Sequence, residues 1–232
     1  MGELTGQVAL VTGGGRGLGA AIALGLAEAG ADVAIMAFDT CEMTAVVDLV
    51  RAQGRRAFGA TAAVSDWLAV QAAIGEIEEQ LGPVSILVNA AMTYAPHALV
   101  EDAHPQEWAR AIAINLTAPF FCAHAVLPGM VAAQWGRIIT LSSQHAHTSM
   151  PTLSAYSAAK AGLDHFMRVL AAEVSATQIV ALAVDPERAP LADSPPPTPE
   201  QCAALICRLC GPAGEAWHGQ VVAVMDVPAT AT

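Results

Sequence analysis

Short β-branched runs alternate with long alanine-rich stretches from one end of the 232-residue chain to the other, and that alternation is what βαβ units and a parallel sheet require. Strands are predicted at Val8 to Val11, Val33 to Met36, Ala57 to Ala60, Ile86 to Val88, Arg137 to Leu141, Ile179 to Val184 and Val221 to Val224. Helical stretches are predicted to begin near Leu18, Cys41, Trp67, Gln106, Ser154 and Pro199. The strand runs are uniformly apolar, so each must bury both faces under helices. The expectation is a single α/β, doubly wound domain over residues 1–232, with a mostly parallel seven-stranded sheet and helices on both faces.

Charge and composition narrow the partners. Lys plus Arg total 10 against Asp plus Glu 21, a net charge of -11, which argues against a nucleic-acid backbone or an anionic membrane surface. Mean hydropathy is +0.47, yet no apolar run is expected to be long enough to span a bilayer, so the surplus is assigned to a core or to subunit interfaces. The start, Met1-Gly2-Glu3-Leu4-Thr5, has neither a basic nor an apolar leader segment, and the chain reads as cytoplasmic. The five cysteines Cys41, Cys122, Cys202, Cys207 and Cys210 are an odd number and are expected as reduced, mostly buried thiols. His145 and His147 have no carboxylate or cysteine at ligand spacing and read as pocket-lining or solvated, so no metal is expected.

Two constellations carry chemistry. Directly after the first strand comes Thr12-Gly13-Gly14-Gly15-Arg16-Gly17-Leu18-Gly19, followed at once by a helix. Strand, glycine turn and helix is the context in which backbone approaches a pyrophosphate and amide N–H groups at the helix start meet its charge. Further on, Ser142 and Ser143 end a strand, and Tyr156 and Lys160 lie four apart on one face of the next helix. An ammonium beside a phenol is expected to lower the phenol pKa, so that Tyr156 exchanges a proton near neutrality. Ser143 would stabilise the alkoxide that forms when hydride reaches a carbonyl carbon.

Together these segments resemble the short-chain dehydrogenase/reductase family over nearly the whole chain. Thr12 to Gly19 fits the family's T-G-x-x-x-G-x-G, Val88-Asn89-Ala90-Ala91 resembles its N-N-A-G strand end, and Ser143 stands thirteen residues before Tyr156, the family's common separation. The resemblance implies a Rossmann-like fold and an NAD(P)(H)-dependent oxidoreductase that moves a hydride between nicotinamide and a ketone or secondary alcohol. It implies Asn115, Ser143, Tyr156 and Lys160 as catalytic residues, with Tyr156 as general acid/base and Asn115 supporting a proton-relay water. Gly13, Arg16, Gly17, Leu18, Gly19 and Asn89 would bind the cofactor, together with Tyr156 and Lys160, and a homotetramer is expected.

The departures from the pattern have consequences of their own. Ala37 stands where an NAD-selective aspartate is usual, and Arg16 could pair with a 2′-phosphate, so NADP(H) is expected over NAD(H). Met92, Ala63 and Glu187 replace a glycine, an aspartate and a glycine that lie near the cofactor in the family. They leave open a lyase, isomerase or dehalogenase-like enzyme without net redox chemistry, or a non-catalytic nucleotide-binding subunit. The substrate loop at about 187–198 is short and carries three consecutive prolines, which suits bulky or tethered substrates.

Overall fold

The first strand, β1 (Val8–Thr12), is buried along its whole length, because parallel partners flank it and helices cover both its faces. In the computed structural model, which describes residues 2–187 and 197–223, β1 pairs with β2 (Asp32–Ala37) and β4 (Ile86–Asn89). Beyond them lie β3 (Ala57–Thr61), β5 (Trp135–Leu141), β6 (Gln178–Asp185) and β7 (Val221–Ala223), in the order β3-β2-β1-β4-β5-β6-β7. All the pairings are parallel. The seven predicted strands are the seven observed ones, with ends shifted by a residue or two; Val224 lies outside the described residues.

Helices occupy the two faces in two groups. On one face α1 (Gly17–Glu28), α2 (Thr40–Ala52) and α7 (Pro199–Cys210) bury Ile22, Leu26, Val46, Val50, Ile206 and Leu209 against the sheet. On the other, α3 (Trp67–Leu81), α5 (Ala118–Ala133) and α6 (Ser154–Val174) contribute Ile74, Ile77, Val126, Met130, Met167 and Leu170. Local chemistry fixes the helix starts. Asp39 caps α2 and Asp66 caps α3, each accepting two backbone N–H groups, and Thr198 with Gln201 forms a capping box on α7. The start of α1 has no side-chain cap.

One composition-based expectation is corrected. The stretch Pro105–Ala133 is long and apolar enough, by length and composition, to cross a membrane. Asn115, Pro119, His124 and Pro128 interrupt its apolar look, but no Asp, Glu, Lys or Arg occurs from Ala111 to Gly136. In this fold the stretch is α4 (Pro105–Ile112), a π-helical turn (Ala113–Thr117) and α5, and α5 packs on α3, β4 and β5. The thiols match expectation: Cys122, Cys202 and Cys210 are buried, Cys207 is partly buried, and all five are free.

Strand order reverses direction between β1 and β4. In such sheets a crevice opens at the carboxyl ends of the strands at that point, and the ends of β1, β4, β5 and β6 bring Thr12, Asn89, Leu141 and Asp185 there.

Candidate active site

A cleft of about 1060 Å³ opens over those strand ends. Its lining includes Gly13, Arg16, Gly17, Leu18 and Gly19 from the loop after β1, and Tyr156 and Lys160 from α6. The loop is held by backbone geometry. Gly13 has φ +67° and donates its N–H to Met36 O at 2.8 Å, and a Cβ there would come within 2.8 Å of Ala91 Cα. A Cβ on Gly19 would collide with the Gly13 carbonyl, whereas around Gly17 there is open space. The Thr12 hydroxyl oxygen accepts from Ala90 N at 3.1 Å and Ala91 N at 3.2 Å, tying the ends of β1 and β4 together. A side-chain-free cradle facing an uncapped helix start fits the pyrophosphate of a dinucleotide. All three departures, Met92, Ala63 and Glu187, line the cleft.

Asn89 is buried at the end of β4, where its Nδ2 donates to Thr140 Oγ1 at 3.3 Å. Asn115 sits in the π-helical turn, fully buried. Such a turn widens the helix locally and re-aims its side chains. The Asn115 Oδ1 accepts from Thr93 N at 3.2 Å, and its Nδ2 donates to Thr93 O at 2.6 Å and Ala111 O at 2.9 Å. Asn115 therefore clamps the loop after β4. That loop carries Tyr94, whose ring centroid lies 4.5 Å from that of Tyr156.

Ser143, Tyr156 and Lys160 converge from two elements. Ser143 follows β5 and is fully buried; its Oγ donates to Glu187 Oε2 at 2.6 Å. Lys160 is 3% exposed, donates from Nζ to Leu141 O at 2.6 Å, and lies 5.6 Å from the centre of the Tyr156 ring. Burial pulls the Lys160 ammonium down to about 8, against the opposing pull of Asp164, Glu187 and Asp185. Burial pushes the Tyr156 phenol up, Tyr94 and Glu187 push it the same way, and only the nearby Ser143 hydroxyl opposes them. That direction corrects the expectation drawn from the Tyr156 and Lys160 spacing: the phenol is held in its protonated form.

Three residues of this centre were not proposed from the sequence as site members. Tyr94 carries no motif. Glu187 was visible only as a missing glycine. Asp164, 2% exposed, lies one helical turn beyond Lys160, and its Oδ2 is 3.0 Å from His147 Nε2. His147 therefore meets a carboxylate after all, but among the described residues no cluster suited to a metal forms. At the adenine end, Arg16 is exposed with its Nε 3.8 Å from Glu42 Oε2, and Asp39 accepts from Cys41 N at 2.9 Å and Glu42 N at 3.1 Å.

A seven-stranded parallel sheet, a glycine cradle at its switch point and a Ser, Tyr and Lys cluster above it define a nicotinamide-dependent oxidoreductase. The chain belongs to the short-chain dehydrogenase family, whose model matches residues 7–189, and the family's reaction is oxidoreduction of a ketone or secondary alcohol with NAD(P). It is 38% identical over 184 residues to the 3-oxoacyl-acyl-carrier-protein reductase FabG of Pseudomonas aeruginosa, covering 79% of this chain and 74% of the relative. It is 36% identical over 183 residues to the D-beta-hydroxybutyrate dehydrogenase of Cupriavidus necator, covering 79% and 70%. To a short chain dehydrogenase of Pseudocercospora fijiensis it is 34% identical over 186 residues, 80% of this chain but only 60% of that relative. A solved Sinorhizobium meliloti structure described as a short-chain alcohol dehydrogenase superposes with a TM-score of 0.89 at 30% identity, covering 95% of both chains.

Proposed function

We propose that this chain reduces a ketone to a secondary alcohol, or runs the reverse reaction, with NADP(H) preferred over NAD(H) and with residues 1–232 acting as one cofactor-binding and catalytic domain. The observation that carries the reading is that Tyr156 and Lys160 line the cleft that the glycine loop also lines, with Ser143 buried just behind and bonded to the cleft-lining Glu187. Gly13, Arg16, Gly17, Leu18, Gly19 and Asn89 hold the dinucleotide, and a reduced nicotinamide bound there supplies the hydride. Tyr156 gives its phenolic proton to the carbonyl oxygen as that oxygen gains negative charge, and the Ser143 hydroxyl stabilises the charge by hydrogen bonding. A phenol held protonated suits the donor role. Lys160 places an ammonium behind the ring that becomes a phenolate once the proton has left. Asn115 acts through the loop it clamps.

NADP preference is supported at the Arg16 end. Ala37 carries no carboxylate at the position that commonly binds the ribose, and Asp39 turns its Oδ1 to the start of α2. A 2′-phosphate would displace the loose, exposed contact between Arg16 and Glu42, which has little strength of its own. Trp108, Phe120, Val131 and Val169 leave apolar surface exposed on α4, α5 and α6, which supports a homo-oligomer, a tetramer by the family's habit, and free buried thiols suit the cytoplasm. The short substrate loop proposed for bulky or tethered substrates falls mostly on 188–196, outside the described residues.

Thermal unfolding with NADPH and with NADH tests the reading. Binding to the native state at about a hundredfold excess over Kd adds roughly 2.7 kcal/mol, so NADPH should raise Tm, and NADH should raise it less at equal concentration. A Tm that neither cofactor moves would refute the assignment; a larger shift with NADH would refute the NADP preference alone.

A further inference from the structure

The position after Pro186 puts a charge where the family keeps a bare backbone. Asp185 Oδ1 accepts from Glu187 N at 3.0 Å, a tight turn at the end of β6. From that turn the Glu187 side chain reaches Ser143 Oγ at 2.6 Å, across 44 positions of sequence. Glu187 is only partly buried and lines the cleft, as do Tyr94 and Tyr156, whose rings lie 4.5 Å apart. The reacting end of the cleft thus presents a carboxylate beside two aromatic rings. Of the cations that line the cleft, Lys160 donates to the Leu141 carbonyl while also feeling Glu187, Arg110 pairs with Glu107 at 3.1 Å, and Arg16 lies near Glu42.

This arrangement bears directly on Ser143. While its proton is committed to Glu187, Ser143 cannot donate that proton to a carbonyl oxygen. A positively charged group on the substrate would take over the Glu187 carboxylate and release the Ser143 hydroxyl for the reacting oxygen. A carboxylate paired with aromatic faces is also the surface that an ammonium prefers. An anionic substrate meets repulsion from Glu187, and each of the three cations lining the cleft already faces an acceptor or a carboxylate.

We infer that the substrate is a ketone or alcohol carrying an ammonium group a few bonds from the reacting carbon, with Glu187 as the residue that selects it. The inference rests on the oxidoreductase reading in one respect, that this cleft is the substrate site. It makes Glu187 a specificity residue that also sets how free Ser143 is to act, so charge should influence kcat as well as KM.

The test is a set of three methyl ketones of one chain length ending in trimethylammonium, tert-butyl or carboxylate, offered with NADPH to the wild type and to Glu187→Gln. In the wild type kcat/KM should favour the ammonium ketone over its tert-butyl isostere by on the order of tenfold, as expected for a partly screened charge pair. The carboxylate ketone should be the poorest. High salt should shrink the preference. In Glu187→Gln, whose amide oxygen still accepts from Ser143, the ratio should fall to about one. Binding of the ammonium and tert-butyl ketones to the NADPH complex, followed by ligand-observed NMR, reads the same preference without turnover. Cation-selective binding that Glu187→Gln abolishes supports the inference even if no ketone is reduced, in which case it is the oxidoreductase reading that fails. Reduction of all three ketones without charge preference, or a preference that survives in Glu187→Gln, overturns the inference and leaves the oxidoreductase reading standing.

Discussion

Lys160 Nζ donates to the Leu141 carbonyl at 2.6 Å, which anchors a buried ammonium to the end of β5 directly behind Tyr156. Burial lowers this group from 10.5 to about 8. The charge that faces the Tyr156 ring is therefore complete at neutral pH and is lost as pH rises through about 8. In the proposed mechanism that loss removes support from the forming phenolate, so kcat/KM should fall along an alkaline limb beginning near pH 8. Lys160→Arg, whose charge persists, should move the limb upward if it retains activity. A kcat/KM profile that stays flat between pH 8 and 10.5 would show that the Lys160 charge is not needed.

Tyr156→Phe deletes the proposed proton donor and keeps the ring that packs at a tilt against Tyr94. Loss of a positioned general acid typically costs about 10² to 10⁴ in rate, and the loss should fall on kcat. The Tm rise on adding NADPH should persist. Near-normal turnover by Tyr156→Phe on any substrate of the wild type would remove Tyr156 from the role.

The cofactor end tests separately. Arg16→Ala should raise KM for NADPH by more than it raises KM for NADH, because only the former carries the 2′-phosphate that a guanidinium would grip. Equal losses for both cofactors would assign the choice to another group, and an unchanged NADPH preference would free Arg16 of any part in it.

The strands and the glycine loop were legible because each is a local pattern: an apolar run such as Ile138 to Leu141, or Gly13 to Gly19 between a strand and a helix. Spacing along one helix likewise placed Tyr156 beside Lys160. It could not give the direction in which the phenol shifts, because that is decided by burial and by Tyr94 and Glu187, which arrive from two distant loops. The Ser143 to Glu187 bond was hidden for the same reason, since nothing in the local sequence around Glu187 says that its side chain turns back toward β5. The pairing of His147 with Asp164 was also illegible. Neither lies at a ligand spacing from the other, and only the turn after Ser143, which returns the chain over α6, brings them together.

Asn115 should prove to be a positioning residue. Its side chain satisfies both the N–H and the carbonyl of Thr93 and so fixes the approach of Tyr94 to Tyr156. Asn115→Ala removes the partner of those partly buried backbone groups, which costs at most about 1–3 kcal/mol where water does not replace it. Thermal unfolding should register that loss, and steady-state kinetics should show a raised substrate KM as Tyr94 shifts, along with a lower kcat. Unchanged kinetics in a destabilised variant would confine Asn115 to a structural role.

Asp164 supplies the clearest test of charge burial. It is 2% exposed, and burial raises its pKa above 3.8 despite the opposing influence of Ser142, His147, Arg168 and Lys160. Because the folded state holds this proton more tightly than the unfolded state does, stability falls as pH rises from 3.8 to the raised folded value, and above that value the full cost of the buried carboxylate is present. Asp164→Asn keeps the shape, retains an oxygen for His147 and removes the charge. At neutral pH it should be more stable than the wild type, and the gap should close as pH falls toward 3.8. Denaturant midpoints for both proteins across that range give the answer. A variant less stable than the wild type at neutral pH would mean that attraction to His147, Arg168 and Lys160 outweighs the desolvation of Asp164.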